Sequence, residues 1–108
     1  MTYRIKYNVS PPSKIFEVNT DEELYFEKLS SKLTDEENKH IVLRRMSDGT
    51  LEPYFKDYPL GKVKLQGRKH YLQILKSTYR FDVVEGTVQD FIKRLDDVVL
   101  YIRKHCYK

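Results

Sequence analysis

The residues best suited to chemistry in this sequence are the basic side chains between Leu60 and Phe81, a stretch that contains neither Asp nor Glu. Lysine and arginine neutralise phosphates, and a tyrosine ring among them offers a surface on which a base can stack. This basic segment, residues 60–81, is therefore a candidate nucleic-acid-binding surface. Its candidate contact residues are Lys62, Lys64, Arg68, Lys69, Tyr71, Lys76 and Arg80. The same composition is typical of sheet edges whose lysines prevent aggregation, and that interpretation stays open beside the first.

A group of aromatic residues precedes the basic segment. Tyr54, Phe55 and Tyr58 lie between Pro53 and Pro59, which interrupt regular strand pairing. In one interpretation the three rings form a loop that closes the end of the hydrophobic core. In the other they form an exposed stacking platform beside the basic strands. The exposure of the rings distinguishes the two interpretations.

The remaining reactive residue types form no catalytic or metal-binding pattern in the sequence. The three histidines, His40, His70 and His105, are far apart, and the one cysteine, Cys106, cannot supply the paired ligands of a zinc site. His105 and Cys106 are neighbours on a predicted helix, where successive side chains diverge by about 100°. They therefore cannot act as a base and its nucleophile. We expect a non-catalytic protein with no metal and no other cofactor.

Strands must position the basic segment, because apolar and polar residues alternate along it. The alternation predicts three strands, Lys62–Gln66, His70–Lys76 and Thr78–Glu85. The connections between them are short enough to require antiparallel neighbours. In the third strand the alternation places Tyr79 and Phe81 together, on the side that we expect to face the core.

A helix follows this meander. Thr87 is a candidate N-cap, and the apolar residues after it recur every three or four positions. Those residues are Val88, Phe91, Ile92, Leu95, Val98, Val99, Ile102 and Cys106. The pattern predicts a long amphipathic C-terminal helix, Val88–Tyr107, that packs on one face of the sheet.

The first half of the chain carries similar signals. Thr20 and Glu23 form a capping-box pattern at the start of a shorter helix near residues 21–33. Thr34 and Glu37 repeat that pattern before a short helical turn. The predicted strands of this half are Tyr3–Val9, Lys14–Val18, His40–Met46 and Leu51–Phe55, the first two of them as a hairpin.

Together these elements predict an α+β fold. We expect a curved antiparallel sheet of about seven short strands, with the long C-terminal helix on one face and the shorter helix near residues 21–33. A half-barrel whose open side is closed by the C-terminal helix is the alternative architecture. The order of the elements does not fit the βαββαβ order of the RNA-recognition module, whose aromatic-glycine strand signature the sequence also lacks.

Length and composition limit the further possibilities. The 108 residues suffice for one domain, residues 1–108. The net charge of +4 comes from the part after residue 57, where eleven Lys or Arg outnumber five Asp or Glu. No apolar run approaches the ~18 residues that cross a membrane. A single cysteine fits a reducing compartment, so we expect a cytoplasmic protein that does not enter a membrane.

The leading functional hypothesis is a small non-catalytic binding module that uses the basic segment to bind nucleic acid. The second hypothesis is a protein–protein interaction or homodimerisation module whose basic strands or aromatic loop contact an acidic partner. The third is a small enzyme or ligand binder whose site is built from residues distant in sequence, where His40 or His70 would meet a carboxylate.

Overall fold

The computed structural model of the chain describes residues 3–9, 11–12, 14–77 and 79–106. The strands of this part of the chain are Arg4–Tyr7 (β1), Ile41–Arg45 (β2), Leu51–Phe55 (β3), Tyr58–Pro59 (β4), Val63–Lys64 (β5), Tyr71–Ser77 (β6) and Arg80–Glu85 (β7). Its helices are Thr20–Lys32 (α1), Asp35–Asn38 (α2), Val88–Ile92 (α3) and Leu95–Tyr101 (α4), the last continued by a π-helical turn over Ile102–Cys106. The predicted α+β class is confirmed. No described helix is both long enough and apolar enough to cross a membrane.

The strands form one mixed sheet in the order β1-β2-β3-β5-β6-β7, with β4 paired to β3. The prediction of an antiparallel sheet is wrong at the first pair. There β1 runs parallel to β2, while the other pairs are antiparallel. The reason is that α1 and α2 separate these two strands in sequence, and a helical crossover returns the chain to the end of the sheet from which β1 started.

The predicted strand Lys14–Val18 is irregular instead, and it forms no hairpin with β1. Its backbone bonds to a side chain: the Phe16 N–H donates to Tyr7 Oη over 3.1 Å. A hydroxyl thus supplies the hydrogen bond that a neighbouring strand would otherwise provide. The alternation of apolar residues does not show that a side chain takes the place of a neighbouring strand.

Capping boxes begin three of the helices. The box of α1 joins Asn19 to Glu22, one residue earlier than the predicted Thr20, whereas α2 and α3 begin at their predicted caps, Thr34 and Thr87. Asn19 also donates through its side-chain amide to the backbone just after β5, over 2.9 Å. This second bond fixes the start of α1 against the sheet.

The predicted continuous helix Val88–Tyr107 is wrong, because α3 and α4 are separate helices that meet at residues 93–94. Between them the Arg94 N–H donates to the Phe91 carbonyl over 3.0 Å, a three-residue turn that interrupts the α-helical hydrogen bonds. The apolar stripe stays buried on both sides of this turn, so its spacing does not show the break. Tyr107 lies outside the described residues.

Helices α1, α3 and α4 pack on one face of the sheet, termed the inner face. Its buried strand residues are Ile41, Leu43, Leu51, Phe55, Val63, Leu72 and Ile74, and the helical residues packed with them include Tyr25, Phe26, Leu29, Phe91, Leu95, Val98 and Ile102. The opposite, outer face carries the alternate residues of each strand, which are exposed or half-buried. No described helix covers the outer face.

One ion pair lies inside the core. The side chains of Arg45 and Glu22 are 0% and 1% exposed, and Arg45 Nη1 donates to Glu22 Oε2. Arg45 Nη1 also donates to the Gly49 carbonyl (3.0 Å), and Gln66 Nε2 donates to Glu22 Oε1 (2.9 Å). The pair therefore joins α1, β2, the turn after β2 and the segment after β5.

Removing one member of this pair is expected to destabilise the protein. In Arg45→Ala the Glu22 carboxylate stays buried without its cationic partner, which lowers the free energy of unfolding by about 3–5 kcal/mol. Urea unfolding followed by circular dichroism measures the loss. The matched control is Asp96→Ala, which breaks the exposed pair with Lys32 (2.9 Å) and should have little or no effect. Equal stability of the two variants would contradict a structural role for the buried pair.

Alkaline pH is expected to weaken the fold through Tyr3. Burial raises the pKa of the Tyr3 phenol from 10.0 to about 12, and the phenol donates its hydrogen bond to Asn38 Oδ1. The unfolded chain therefore loses this proton first, so the contribution to stability is complete below pH 10.0 and is lost as the pH approaches 12. Tyr3→Phe should flatten the fall of the melting temperature over this range, whereas Tyr79→Phe, at a site 92% exposed, should not. Parallel profiles for wild type and Tyr3→Phe would exclude the effect.

Candidate functional site

The outer face of the sheet brings together cationic residues from strands that are distant in sequence. Residues opposite each other in paired strands share a face. The register pairs Lys6 with Arg44 in one row, and in the next it pairs Arg4 with Val42 and Val42 with Tyr54. The parallel pairing of β1 with β2 therefore places Lys6 beside Arg44, and Arg4 in the same row as Tyr54.

All of these residues except Arg4 line a shallow pocket on the outer face, termed the cationic pocket. Its lining residues are Lys6, Val42, Arg44, Tyr54, Lys56 and Asp57. The Arg44 guanidinium carbon lies 4.8 Å from the centre of the Tyr54 ring, within the range of a cation–π contact. Tyr54 Oη donates to Glu52 Oε1 over 3.0 Å, which orients the ring.

The charge of the cationic pocket comes from its basic residues and not from the phenol. Burial, followed by the hydrogen bond and the charge of Glu52, raises the pKa of Tyr54, while Arg44 acts in the opposite direction. The phenol therefore stays protonated at neutral pH. Three cations, opposed by Asp57, thus surround a neutral ring.

Three residues of the basic segment form a second group on the same face. Lys64 lies opposite Tyr71, and Lys62 occupies the preceding outer position by alternation. All three are half-buried. Tyr71 Oη lies 3.3 Å from Thr50 Oγ1, which ties the ring to the residue before β3. The structure thus brings three of the predicted contact residues, Lys62, Lys64 and Tyr71, together on the outer face.

The other four predicted contact residues lie elsewhere. Arg68 and Lys69 are exposed between β5 and β6. Lys76 and Arg80 lie at the opposite end of β6 and at the start of β7, and Lys76 Nζ is 3.8 Å from Asp82 Oδ2. The basic segment is therefore not one surface, because its members divide between the outer face and the two ends of β6.

The predicted aromatic loop is a tight hairpin instead. β3 and β4 pair directly, with Phe55 opposite Tyr58, and Lys56 in the turn has a φ of 57°, in the left-handed region. Phe55 is 1% exposed and packs in the core, and Tyr58 is 41% exposed. Tyr54 is half-buried on the outer face. The rings form neither a single plug nor a single platform, because adjacent strand residues point to opposite faces.

The predicted core position of Tyr79 and Phe81 is wrong. They are 92% and 53% exposed, and Val83, on the same side as Phe81, is 55% exposed. The register explains the error, since Leu72 of the inner face pairs with Val84. Because β7 carries apolar residues on both faces, alternation alone selects the wrong one.

Two of the histidines, His40 and His70, have local structural partners. His40 Nε2 lies 3.4 Å from Glu36 Oε1, and His70 Nε2 lies 2.9 Å from the Gly67 carbonyl. Burial raises the pKa of the Cys106 thiol. Within the part of the chain that the structure describes, no three His, Cys, Asp or Glu side chains are close enough to hold a metal ion.

Sequence reasoning missed Lys56 in the β3–β4 turn, and it missed three strand residues of this face, Arg4, Lys6 and Arg44. Arg4, Lys6 and Arg44 occupy polar positions of the apolar–polar alternation in the predicted strands Tyr3–Val9 and His40–Met46. The alternation predicts that each of these side chains points away from the core, but it does not predict which strands are neighbours. The parallel pairing of β1 and β2 supplies the missing step.

We compared the chain with protein-family models, curated proteins and solved structures, and none of them matches it.

Proposed function

We propose that this protein is a small non-catalytic binding module that binds single-stranded nucleic acid on the outer face of its sheet. The observation that carries the proposal is the cationic pocket, where side chains from β1, β2 and the β3–β4 turn converge beside Tyr54. Lys62, Lys64 and Tyr71 extend the same surface across β5 and β6.

The charge of this surface favours a polyanion. Its cations are Arg4, Lys6, Arg44, Lys56, Lys62 and Lys64, and its carboxylates are Glu52, Asp57 and Glu85. One of these carboxylates, Glu52, is already engaged by the Tyr54 hydroxyl. Cations that neutralise phosphates release bound counterions, and this release supplies most of the sequence-independent affinity for nucleic acid.

The rings favour a single strand over a duplex. Unpaired bases stack on aromatic side chains and on arginine planes, whereas a duplex keeps its bases stacked inside. The Arg44 guanidinium lies over the Tyr54 ring, so in the cationic pocket the guanidinium is the group on which a base would stack. Tyr71 provides a second ring beside Lys64.

Charge reversal in the cationic pocket is expected to weaken binding. Fluorescence anisotropy of a labelled single-stranded oligonucleotide, from about 50 to 200 mM salt, measures affinity and its salt dependence. The double variant Lys6→Glu with Arg44→Glu should bind more weakly, and its log–log salt slope should be shallower by about 0.7 for each phosphate that is no longer neutralised. The control, Lys28→Glu with Lys93→Glu, changes the net charge equally at two exposed sites in the helical layer. Absence of binding at low salt, or equal losses of affinity in the two double variants, would contradict the proposal.

Loss of the Tyr71 ring is expected to remove a stacking contact. Tyr71→Ala should weaken single-strand binding by about 1–3 kcal/mol, while Tyr71→Phe keeps the ring and removes only the hydroxyl that meets Thr50. Tyr58→Ala is the control, because Tyr58 pairs with the core residue Phe55 and so belongs to the inner side. The same anisotropy titration compares all three variants after thermal unfolding has shown that each is folded. If Tyr71→Phe binds as weakly as Tyr71→Ala, stacking is not the source of affinity.

A further inference from the structure

We propose that two copies of this chain pair through β7, in antiparallel fashion, around a two-fold axis at Phe81. This surface lies at the opposite edge of the sheet from β1. The inference is independent of the proposed function, because it uses none of the residues assigned there to nucleic acid.

The first observation is that β7 is an unprotected sheet edge. It pairs with β6 on one side and, in the described part of the chain, with no strand on the other. The other edge, β1, is four residues long and exposes Arg4 and Lys6, charged residues that discourage pairing with another strand. The six-residue β7 also carries charged residues of both signs, but it exposes Phe81 and Val83 on its outer face, with Tyr79 just before it.

The second observation is that the exposed apolar residues of β7 are complementary to those of a second copy. A two-fold axis perpendicular to the sheet keeps both outer faces on the same side, so residues that meet across the contact share a face. With the axis at Phe81, this residue meets its own copy, and Val83 approaches Tyr79 of the second copy. The exposed apolar side chains of β7 then cover one another.

The third observation is the charge pattern on the inner side of β7. In the same register Arg80 meets Asp82 of the second copy, and symmetry repeats the pair. Asp82 is accessible for this contact because its side chain is 59% exposed, and its ion pair with Lys76 (3.8 Å) is itself exposed to solvent. An axis at Asp82 would instead place two carboxylates opposite each other, and an axis at Val83 would place Phe81 opposite Glu85. Charge therefore selects the register centred on Phe81.

A second copy is the occupant that matches this edge, because the strand is complementary to itself in both apolar surface and charge. A single strand pair buries less surface than a standard protein–protein interface. We therefore expect a weak, reversible dimer.

Sedimentation equilibrium from about 1 µM to 1 mM protein tests the pairing in the range where small interfaces dissociate. Wild type should show a monomer–dimer equilibrium. Phe81→Lys should weaken the dimer at least about tenfold, because it places like charges opposite each other at the axis. Ile15→Lys is the matched control, since Ile15 is also an exposed apolar residue, 73% exposed, but lies outside the sheet.

A charge exchange tests the register. Arg80→Asp and Asp82→Arg should each weaken self-association about tenfold or more, because each creates two like-charged contacts. An equimolar mixture of these two single variants should regain association as a heterodimer, and one chain carrying both substitutions should regain the homodimer. Circular dichroism and thermal unfolding establish that each variant is folded.

Three results would overturn the proposal. The first is a wild-type monomer at every concentration. The second is a dimer that Phe81→Lys and the charge variants leave unchanged, which would place the contact on another surface. The third is weakening in both single charge variants without recovery in their mixture.

Discussion

The burial of the Glu22–Arg45 ion pair is the constraint on which the rest of this structure depends. Two charges inside an apolar core are tolerated only when each finds an opposite charge and hydrogen bonds. The Asn19 backbone N–H donates to Glu22 Oε1 (3.2 Å), and Arg45 donates to the Gly49 carbonyl and, over 3.4 Å, to the Phe16 carbonyl. The start of α1, the end of β2, the following turn and the segment before α1 must therefore be in place together. These four segments therefore pack together as one structural unit.

The same constraint determines which face of the sheet stays open. Glu22 holds α1 against the inner face, so the chain passes from β1 through α1 to β2 on that side and the two strands become parallel neighbours. Burial of Leu43 and partial burial of Ile5 then send the alternate residues outward. Arg4, Lys6 and Arg44 meet because helix and sheet bury their apolar neighbours, although β1 and β2 are separated by two helices in sequence.

Local patterns predicted what local interactions decide. The caps at Thr34 and Thr87 and the outward position of Lys64 follow from contacts within a few residues, and all three are as expected. Strand partners that are far apart in sequence, such as β1 with β2, were not predictable in this way, because their pairing depends on contacts between distant residues. The candidate site shares this limit: Lys62 and Tyr71 belong to one meander and were predicted together, whereas the cations of β1 and β2 join them only through the fold. In β7, pairing with β6 places Val84 on the inner face. Phe81 and Val83 then lie on the outer face, although they are the larger apolar group of this strand.

The outer face changes character from one edge of the sheet to the other. Around Arg44 and Tyr54 it is cationic, whereas at the far edge Leu75 lies opposite Phe81 and the surface is apolar. The cations converge at one edge and the apolar side chains lie at the other, so the two regions suit different partners. Pairing through β7 would join two outer faces into one sheet surface, apolar in the middle, with a cationic pocket several strand spacings of ~4.8 Å to each side. An oligonucleotide long enough to reach both pockets would then bind them as linked sites, with an apparent affinity raised by effective concentration, whereas a short one would not distinguish monomer from dimer. The dependence of affinity on oligonucleotide length therefore connects the two surfaces physically, even though each is defined by its own residues.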